Sequence, residues 1–308
     1  MLKKIFSSIL LNLASVVTTL LRILPPETSH GFALKSFKII DLAGIRFIST
    51  ENKNKSMEVM DLGFKNRLGI SGGLDKNGDY ISALSNLDIG FIELGTVTPK
   101  PQPGNKKPRL FRDSKNFAIL NRMGFNNKGV EHLVAKVKGK STACKLAISI
   151  GKNFNTPHNK AIDDYVFCLD KVYPIADFVT LNISSPNTED LRLLQSPEQL
   201  PYFLSVMKEK QHELTKSFGY KPLVVKISPD EDDENLREIA KTLISIKIDG
   251  LIATNTTSSH KNVWGEGGMS GKPLFNKSTS VLKLMRKLLG KTFPIIASGG
   301  VTDVKTYK

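Results

Sequence analysis

Short runs of apolar, β-prone residues recur along most of this chain, separated by longer stretches whose apolar positions fall at helical spacing. The runs are Leu68–Leu74, Phe91–Val97, Leu146–Gly151, Phe178–Ile183, Leu223–Ile227, Leu251–Thr256 and Pro294–Ser298. Between them lie amphipathic segments such as Glu234–Ile246 and Ser278–Leu289. From about Asp61 onward this alternation predicts repeated βαβ units around a parallel sheet. Every run ends in glycine or small polar residues, which fits an α/β protein of the (β/α)8 TIM-barrel kind better than an open doubly wound sheet. Gly69-Ile70-Ser71-Gly72-Gly73 has the wrong spacing for a dinucleotide-binding turn. An eighth run is not found. The chain passes through Gly299-Gly300 into Val301–Lys308, a helix start, and a closing βα unit would take on the order of 30 further residues. The expectation is a barrel whose final βα unit is missing.

The N-terminal piece has a different pattern. Leu2, Phe6, Ile9, Leu13, Val16, Leu20 and Leu24 trace one helical face, with Lys3, Lys4, Ser7, Ser8, Ser15, Thr18, Thr19 and Arg22 on the other. Pro25-Pro26 stops that helix, and Glu27-Thr28-Ser29 can open a second short one with Phe32, Leu34 and Phe37 on its apolar side. Arg22-Ile23-Leu24-Pro25-Pro26 is a poor signal-peptidase site, and Asn12 with the serines and threonines weakens a spanning helix. Residues 1–48 are therefore expected as a two-helix amphipathic extension lying on an anionic membrane surface, and 49–308 as the barrel domain. Docking of the same apolar face on the protein's own core is the alternative.

Composition narrows the function classes. At 40% hydrophobic and 24% charged residues the chain is an ordinary globular one. Two cysteines, Cys144 and Cys168, and five scattered histidines have no metal-ligand spacing, so no metal is expected. The net charge of +15 comes mostly from lysines spread along the chain, without the interleaved aromatics of a nucleic-acid groove. A solvated basic surface is expected, and no nucleic-acid partner.

Chemistry concentrates where the runs end. In Thr180–Thr188 an apolar run breaks into Asn182, Ser184, Ser185, Asn187 and Thr188, all uncharged donors and acceptors. They suit a polar planar ligand, with one hydroxyl placed for proton transfer, although Ser-Pro-Asn is equally ordinary turn chemistry. Ser71-Gly72-Gly73-Leu74-Asp75-Lys76 offers bare backbone and a lysine able to meet an anion. Lys226 lies inside an apolar run, where it needs an anionic partner; the N1–C2=O edge of a reduced flavin would be one. Gly267–Gly271 and Gly299-Gly300 are turn or phosphate-loop glycines, with Gly300 a candidate backbone donor.

The segments SGGLDKNG, IELGTVTPKPQPGNKKPRLFR, NRMGFNN, IGKN, NISSPNT, VKISPD, IATNTT, GGMSGKPL and ASGG, in this order over about residues 60–300, resemble the class 2 dihydroorotate dehydrogenases. That is the membrane-associated, quinone-reducing branch of the family. NRMGFNN together with NISSPNT is specific to it, and the N-terminal LPPETSHGF is similar too. The resemblance implies oxidation of dihydroorotate to orotate in pyrimidine biosynthesis, FMN as cofactor and a ubiquinone- or menaquinone-type acceptor reaching the flavin through the N-terminal helices. It implies peripheral attachment, at the cytoplasmic face of the inner membrane in a bacterium. Ser185 matches the base that removes the C5 proton, and serine rather than cysteine there points to class 2. Lys76, Asn121, Asn182, Asn187, Asn255 and Thr256 match substrate positions, with Arg122, Met123, Gly124 and Phe125 beside Asn121. Gly72, Gly73, Thr96, Asn182, Lys226, Thr254, Gly271 and Gly300 match FMN positions. Ser149 stands where the family usually has asparagine, and its shorter side chain weakens the case for a direct flavin contact. The family's last strand supplies donors to the FMN phosphate, so these 308 residues are expected to bind FMN weakly or not at all. Another FMN barrel reductase acting on a pyrimidine, and a flavin-free relic, are the alternatives.

Overall fold

Strand side chains alternate between the two faces of a sheet, and here each face has its own partner. The computed structural model describes residues 16–44, 56–262 and 264–307. Residues 16–21 are helical, and helix α1 (Pro26–Leu42) follows with proline and Glu27 in its first turn, both favourable there. The chain then makes a hairpin of β1 (Met57–Val59) and β2 (Leu62–Phe64) before entering the main sheet at β3 (Gly69–Ile70). Helix α2 (Ile81–Ser85) leads to β4 (Phe91–Val97), and a second hairpin, β5 (Leu110–Asp113) with β6 (Ala118–Asn121), to helix α3 (Val130–Val137). Regular alternation follows: β7 (Lys145–Ile150), α4 (Ala161–Val172), β8 (Phe178–Asn182), α5 (Leu200–Phe218), β9 (Leu223–Ile227), α6 (Asp233–Ser245) and β10 (Gly250–Ala253). After these come β11 (Gly268–Gly271), α7 (Phe275–Leu289), β12 (Ile295–Ala297) and the short α8 (Val304–Tyr307).

Seven strands form one sheet in the order β12-β10-β9-β8-β7-β4-β3, parallel at every pairing. Sequential neighbours joined by outer helices are the connectivity of a TIM barrel, and the strand ends nearest the site are the C-terminal ones. Among the described residues β3 and β12 are the two edges of this sheet. The outward side chains, such as Leu94, Ile148, Val179, Val225 and Leu251, pack with Leu133, Tyr165, Phe203, Ile239 and Val281 of the helices. The inward ones at the base, Phe91, Ala147, Phe178, Val224, Ile252 and Ile296, close over Phe64 and Met60 of the first hairpin. Phe64, Phe91 and Phe178 meet edge to face, with centroids 5.9–6.4 Å apart.

The expected runs become strands within one to three residues at their ends, except the first. Leu68–Leu74 yields only Gly69–Ile70, because the next residues turn inward: Gly72 donates its amide to Glu93, and Gly73, at φ 108°, donates to the Gly95 carbonyl. The second N-terminal helix runs 17 residues rather than one short stretch. It buries Ser29 and Leu34 and packs Phe37 against the core, while Phe32, Ile39 and Leu42 stay exposed, so its apolar face is divided between the core and solvent. The predicted helical face over residues 1–15 and the domain boundary at 48/49 fall outside the described residues. Two features were not anticipated. The first hairpin turns at Met60 and Asp61, with φ of 55° and 57°, and lacks the Asn-Gly signal of such turns. The second hairpin recruits β11 into a three-stranded antiparallel sheet, order β11-β6-β5, through a partner about 150 residues away in sequence.

Phe178→Ala removes a fully buried ring from the barrel base. It should lower unfolding stability by about 3–5 kcal/mol, read as a lower urea midpoint; a midpoint equal to wild type would refute the packing role given to the hairpin plug.

Candidate functional site

Above the apolar base, the same inward register turns polar. Glu93, Ser149, Thr180 and Lys226 stand two residues beyond Phe91, Ala147, Phe178 and Val224 on their strands. Glu93 and Lys226 are only 2% and 5% exposed, and Lys226 Nζ lies 3.4 Å from Glu93 Oε2. The same oxygen accepts the Gly72 amide at 2.6 Å and the Ser71 hydroxyl at 3.4 Å, and Lys226 also donates to Ser71 Oγ at 3.2 Å. The anionic partner that Lys226 requires is thus supplied by the chain itself. Glu93 is a site residue the sequence reading passed over, although its place inside the apolar run Phe91–Val97 is the signal that singled out Lys226. Glu93 Oε1 and Thr180 Oγ1 are buried without a partner.

The strand ends carry a lattice of neutral groups. Asn182 donates to Thr96 Oγ1 at 2.8 Å and accepts from Asn255 Nδ2 at 3.1 Å, while its own carbonyl is held by the Tyr165 hydroxyl at 2.7 Å. Asn255 also donates to Ser184 Oγ at 3.0 Å, and Ser184 donates to the Lys226 carbonyl at 2.6 Å. Asn187 donates to Asn121 Oδ1 at 3.0 Å, and Asn121 donates to the Gly268 carbonyl at 3.1 Å. Ser185, 6% exposed, accepts the Asn187 amide at 3.3 Å on its hydroxyl oxygen. Amide side chains locked to one another keep fixed orientations, so their free lone pairs and N–H groups form a preset pattern for a ligand.

These groups surround one cavity of about 1570 Å³. Lys76, Asn121, Met123, Gly124, Phe125, Asn182, Ser185, Asn187, Asn255 and Thr256 line it, as do Gly72, Gly73, Thr96, Lys226, Thr254 and Gly300. Three expected residues lie elsewhere. Ser149 is fully buried behind Thr96, whose hydroxyl it meets at 2.8 Å. Gly271 pairs with Ala118 in the small sheet, where a Cβ would strike the Phe117 carbonyl at 2.2 Å, so its glycine answers to strand packing. Arg122 lies over the Phe111 ring at 4.9 Å, donates to the Trp264 carbonyl and lines a separate cleft of about 530 Å³. At its outer end the large cavity is lined by Thr18, Leu21, Arg22, His30 and Ala33. That end is tied down by Arg109 to Glu27 at 2.9 Å, Arg112 to the Arg22 carbonyl at 2.8 Å and His30 to the Leu74 carbonyl at 2.8 Å.

Charge in the cavity is tuned by burial. Burial, with a smaller push from the Arg109 guanidinium, brings the Lys76 ammonium down to about 8. Lys76 Nζ donates to the Gly73 carbonyl at 2.6 Å, beside the bare backbone of Gly72 and Gly73. Burial, then the Lys76 charge, also lowers His30. A side chain at Gly73 would meet no atom within 4 Å, so the glycine leaves room in the cavity it lines. At the far end Gly300, φ 76°, lies against Phe275 at the start of α7, where a Cβ would be 2.6 Å from that residue's backbone.

A polar barrel mouth of this make has known counterparts. Residues 55–306 match the family model described as dihydroorotate dehydrogenase. The chain belongs to the dihydroorotate dehydrogenase family. It is 48% identical over 297 residues to the dihydroorotate dehydrogenase (quinone) of Cellvibrio japonicus, covering 94% of this chain and 87% of the relative. The corresponding protein of Ectopseudomonas mendocina is 46% identical over 297 residues with the same coverage. Among solved structures, that of the Eimeria tenella dihydroorotate dehydrogenase in complex with ferulenol is similar at a TM-score of 0.83 and 32% identity, over 92% of this chain and 82% of that one. Dihydroorotate dehydrogenases are flavin-dependent oxidoreductases.

A buried ion pair loses more from half-removal than from full replacement. Glu93→Leu and Lys226→Met should each lower stability by about 3–5 kcal/mol, and the double variant by clearly less than their sum. Strict additivity in urea unfolding would show that the two groups do not depend on each other.

Proposed function

We propose that this protein oxidises dihydroorotate to orotate in de novo pyrimidine biosynthesis, with FMN as its cofactor and a ubiquinone- or menaquinone-type quinone as final electron acceptor. The observation that carries the proposal is the ring of four asparagines, 121, 182, 187 and 255, hydrogen-bonded in pairs and lining one cavity with Ser185. Neutral amide groups match the alternating N–H and C=O edge of a pyrimidine ring, which a charged site would not. Membership of the family and the quinone-dependent relatives support the same conclusion.

When bound, FMN supplies a hydride acceptor and passes electrons on to the quinone. Gly72, Gly73, Thr96, Asn182, Lys226, Thr254 and Gly300 would hold it, with Ser149 acting through Thr96 and Gly271 bracing the small sheet. The fit is favourable: the cavity has bare backbone at Gly73, a buried ammonium at Lys226 and, on Glu93, an oxygen without a hydrogen-bond partner. The first turn of α7 beside Gly300 suits a phosphate, since the positive end of the helix dipole favours an anion there.

Ser185 takes the C5 proton of dihydroorotate. A hydroxyl is a weak base, and the backbone N–H of Asn187 aimed at its oxygen stabilises negative charge growing there, while the proton leaves by way of water. Asn121, Asn187, Asn255 and Thr256 orient the ring, and Lys76 meets the carboxylate. Met123, Gly124 and Phe125 shape the wall, and Arg122 supports it from behind through Phe111.

The outer end of the cavity is the quinone's route. Val16, Leu20, Ile23, Phe32, Ile39 and Leu42 expose apolar surface around it, which fits peripheral attachment to an anionic membrane. Among the described residues no helix is long and apolar enough to cross a membrane.

Two measurements test this proposal. Ser185→Ala should slow dihydroorotate-driven flavin reduction by roughly 10²–10⁴-fold with flavin content unchanged; an unaltered rate would remove the serine from the reaction. The Lys76 charge is present below about pH 8 and lost above it, so KM for dihydroorotate should rise between pH 7 and 9.5. Lys76→Met should raise KM by about tenfold or more and flatten that pH dependence. A wild-type KM independent of pH would mean that Lys76 does not meet the carboxylate.

A further inference from the structure

The loop that bears Ser185 is closed on itself by one guanidinium. Arg192 lies in the 3₁₀ turn Leu191–Gln195, and its Nε donates back to the Ser184 carbonyl at 3.2 Å, making a ring of residues 184–192. Its Nη2 donates to the Thr256 carbonyl at 3.2 Å, and its Nη1 to Ser258 Oγ and Asp230 Oδ2, both at 3.0 Å. One planar group thus ties the serine loop to the segment carrying Asn255 and Thr256.

Asp230 holds that guanidinium from behind. It accepts from the Ser258 amide at 2.8 Å, from the Ser258 hydroxyl at 3.0 Å, from Thr257 Oγ1, and from Lys277 Nζ of α7 at 2.5 Å. Burial pushes its carboxyl up, but the bonds from Lys277, Thr257 and Ser258 outweigh burial and hold it well below the usual carboxylate range. Arg192, Asp230, Thr257 and Lys277 do not line the large cavity. Arg192 lines instead the smaller cleft, between Pro186 and Asn187 on the loop and Ser258 and Gly267 across from it. These side chains therefore act on the reaction through the backbone they hold.

We propose that Arg192, held by Asp230, is a positioning residue for dihydroorotate oxidation: it sets the Ser185 loop at a fixed distance from Asn255 and Thr256. The proposal rests on the role given above to Ser185. Two loops held by separate contacts could drift, and a misplacement of about 1 Å at the reacting atoms costs about 10²-fold in rate. Only an arginine presents donors in one plane to these four acceptors; a lysine keeps the charge without that planar fork.

The test uses the flavin-loaded protein and separates the two half-reactions by stopped-flow. Arg192→Ala should slow flavin reduction at saturating dihydroorotate by about 10²-fold. Reoxidation by decylubiquinone, at the other end of the cavity, should stay within about twofold, since no Arg192 contact reaches that end. Arg192→Lys should fall between Arg192→Ala and wild type. Amide exchange over residues 185–191 should quicken in Arg192→Ala and not in Ser185→Ala. If Arg192→Ala does not fold, Asp230→Asn replaces it, with reduction slowed by about tenfold and the same faster exchange. Equal loss in both half-reactions, or unchanged exchange over 185–191, overturns the proposal. A wild-type protein whose flavin dihydroorotate does not reduce would overturn the function above, and the exchange measurement would then decide the clamp by itself.

Discussion

An ammonium cannot be kept inside a barrel without a partner, and much of this structure follows from keeping Lys226 there. Isolated burial of such a charge costs several kcal/mol even after relaxation, more than most single contacts return. Glu93, opposite on β4, supplies the counter-charge, and it does so only because both strands place these residues on the inward register. The carboxylate also recruits the Gly72 amide, which cuts β3 short and bends Ser71–Gly73 over the barrel. A charged pair at mid-height therefore separates two regions of opposite character. Below it the aromatic plug of Phe64, Phe91 and Phe178 excludes water, and above it lies the cavity of amides and hydroxyls.

That upper region is almost free of charge, which is the physical sense of so many asparagines in one place. Each Asn–Asn or Asn–Thr bond fixes an amide orientation without a counter-ion, and a neutral pyrimidine ring can then be matched by hydrogen bonds alone. Charges stand around this core in supporting positions. Lys76 is at the rim for an anionic group, Arg192 and Asp230 stand behind the two loops, and Arg109 with Glu27 joins the N-terminal helix to the barrel. The hydrophobic effect contributes part of that last junction: α1 packs Leu34 and Phe37 on the core and keeps Phe32, Ile39 and Leu42 outward. Apolar side chains left outward on a helix that polar ties hold in place are what a surface meant for lipid, and for a lipid-soluble acceptor, requires.

The periodicity of apolar residues was enough to recover six of the main strands to within a few residues and the helices between them, because both depend on local alternation that packing then reinforces. Asn182, Ser185, Asn187, Asn255 and Lys226 were legible for a related reason: each is a polar residue at or inside the end of an apolar run. Residue strings such as NRMGFNN and NISSPNT carried the family. Glu93 was equally legible by that rule and was passed over because it reads as one charge in an otherwise ordinary strand.

Other features had no local signal. Asn121 reaches the cavity because β6 pairs with β11, and Gly271 is glycine because that pairing brings Phe117 against it; neither fact is contained in either segment alone. Arg122, the first residue after β6, lies over the Phe111 ring and lines the smaller cleft instead. The ring closed by Arg192 joins carbonyls that are 8 and 64 residues away from it. The sequence by itself determined the elements, the family and the chemical character of the strand ends, all properties of short stretches. The tertiary structure alone decided which of those residues share a cavity and which support it from behind, because that depends on distances between segments that local sequence does not encode.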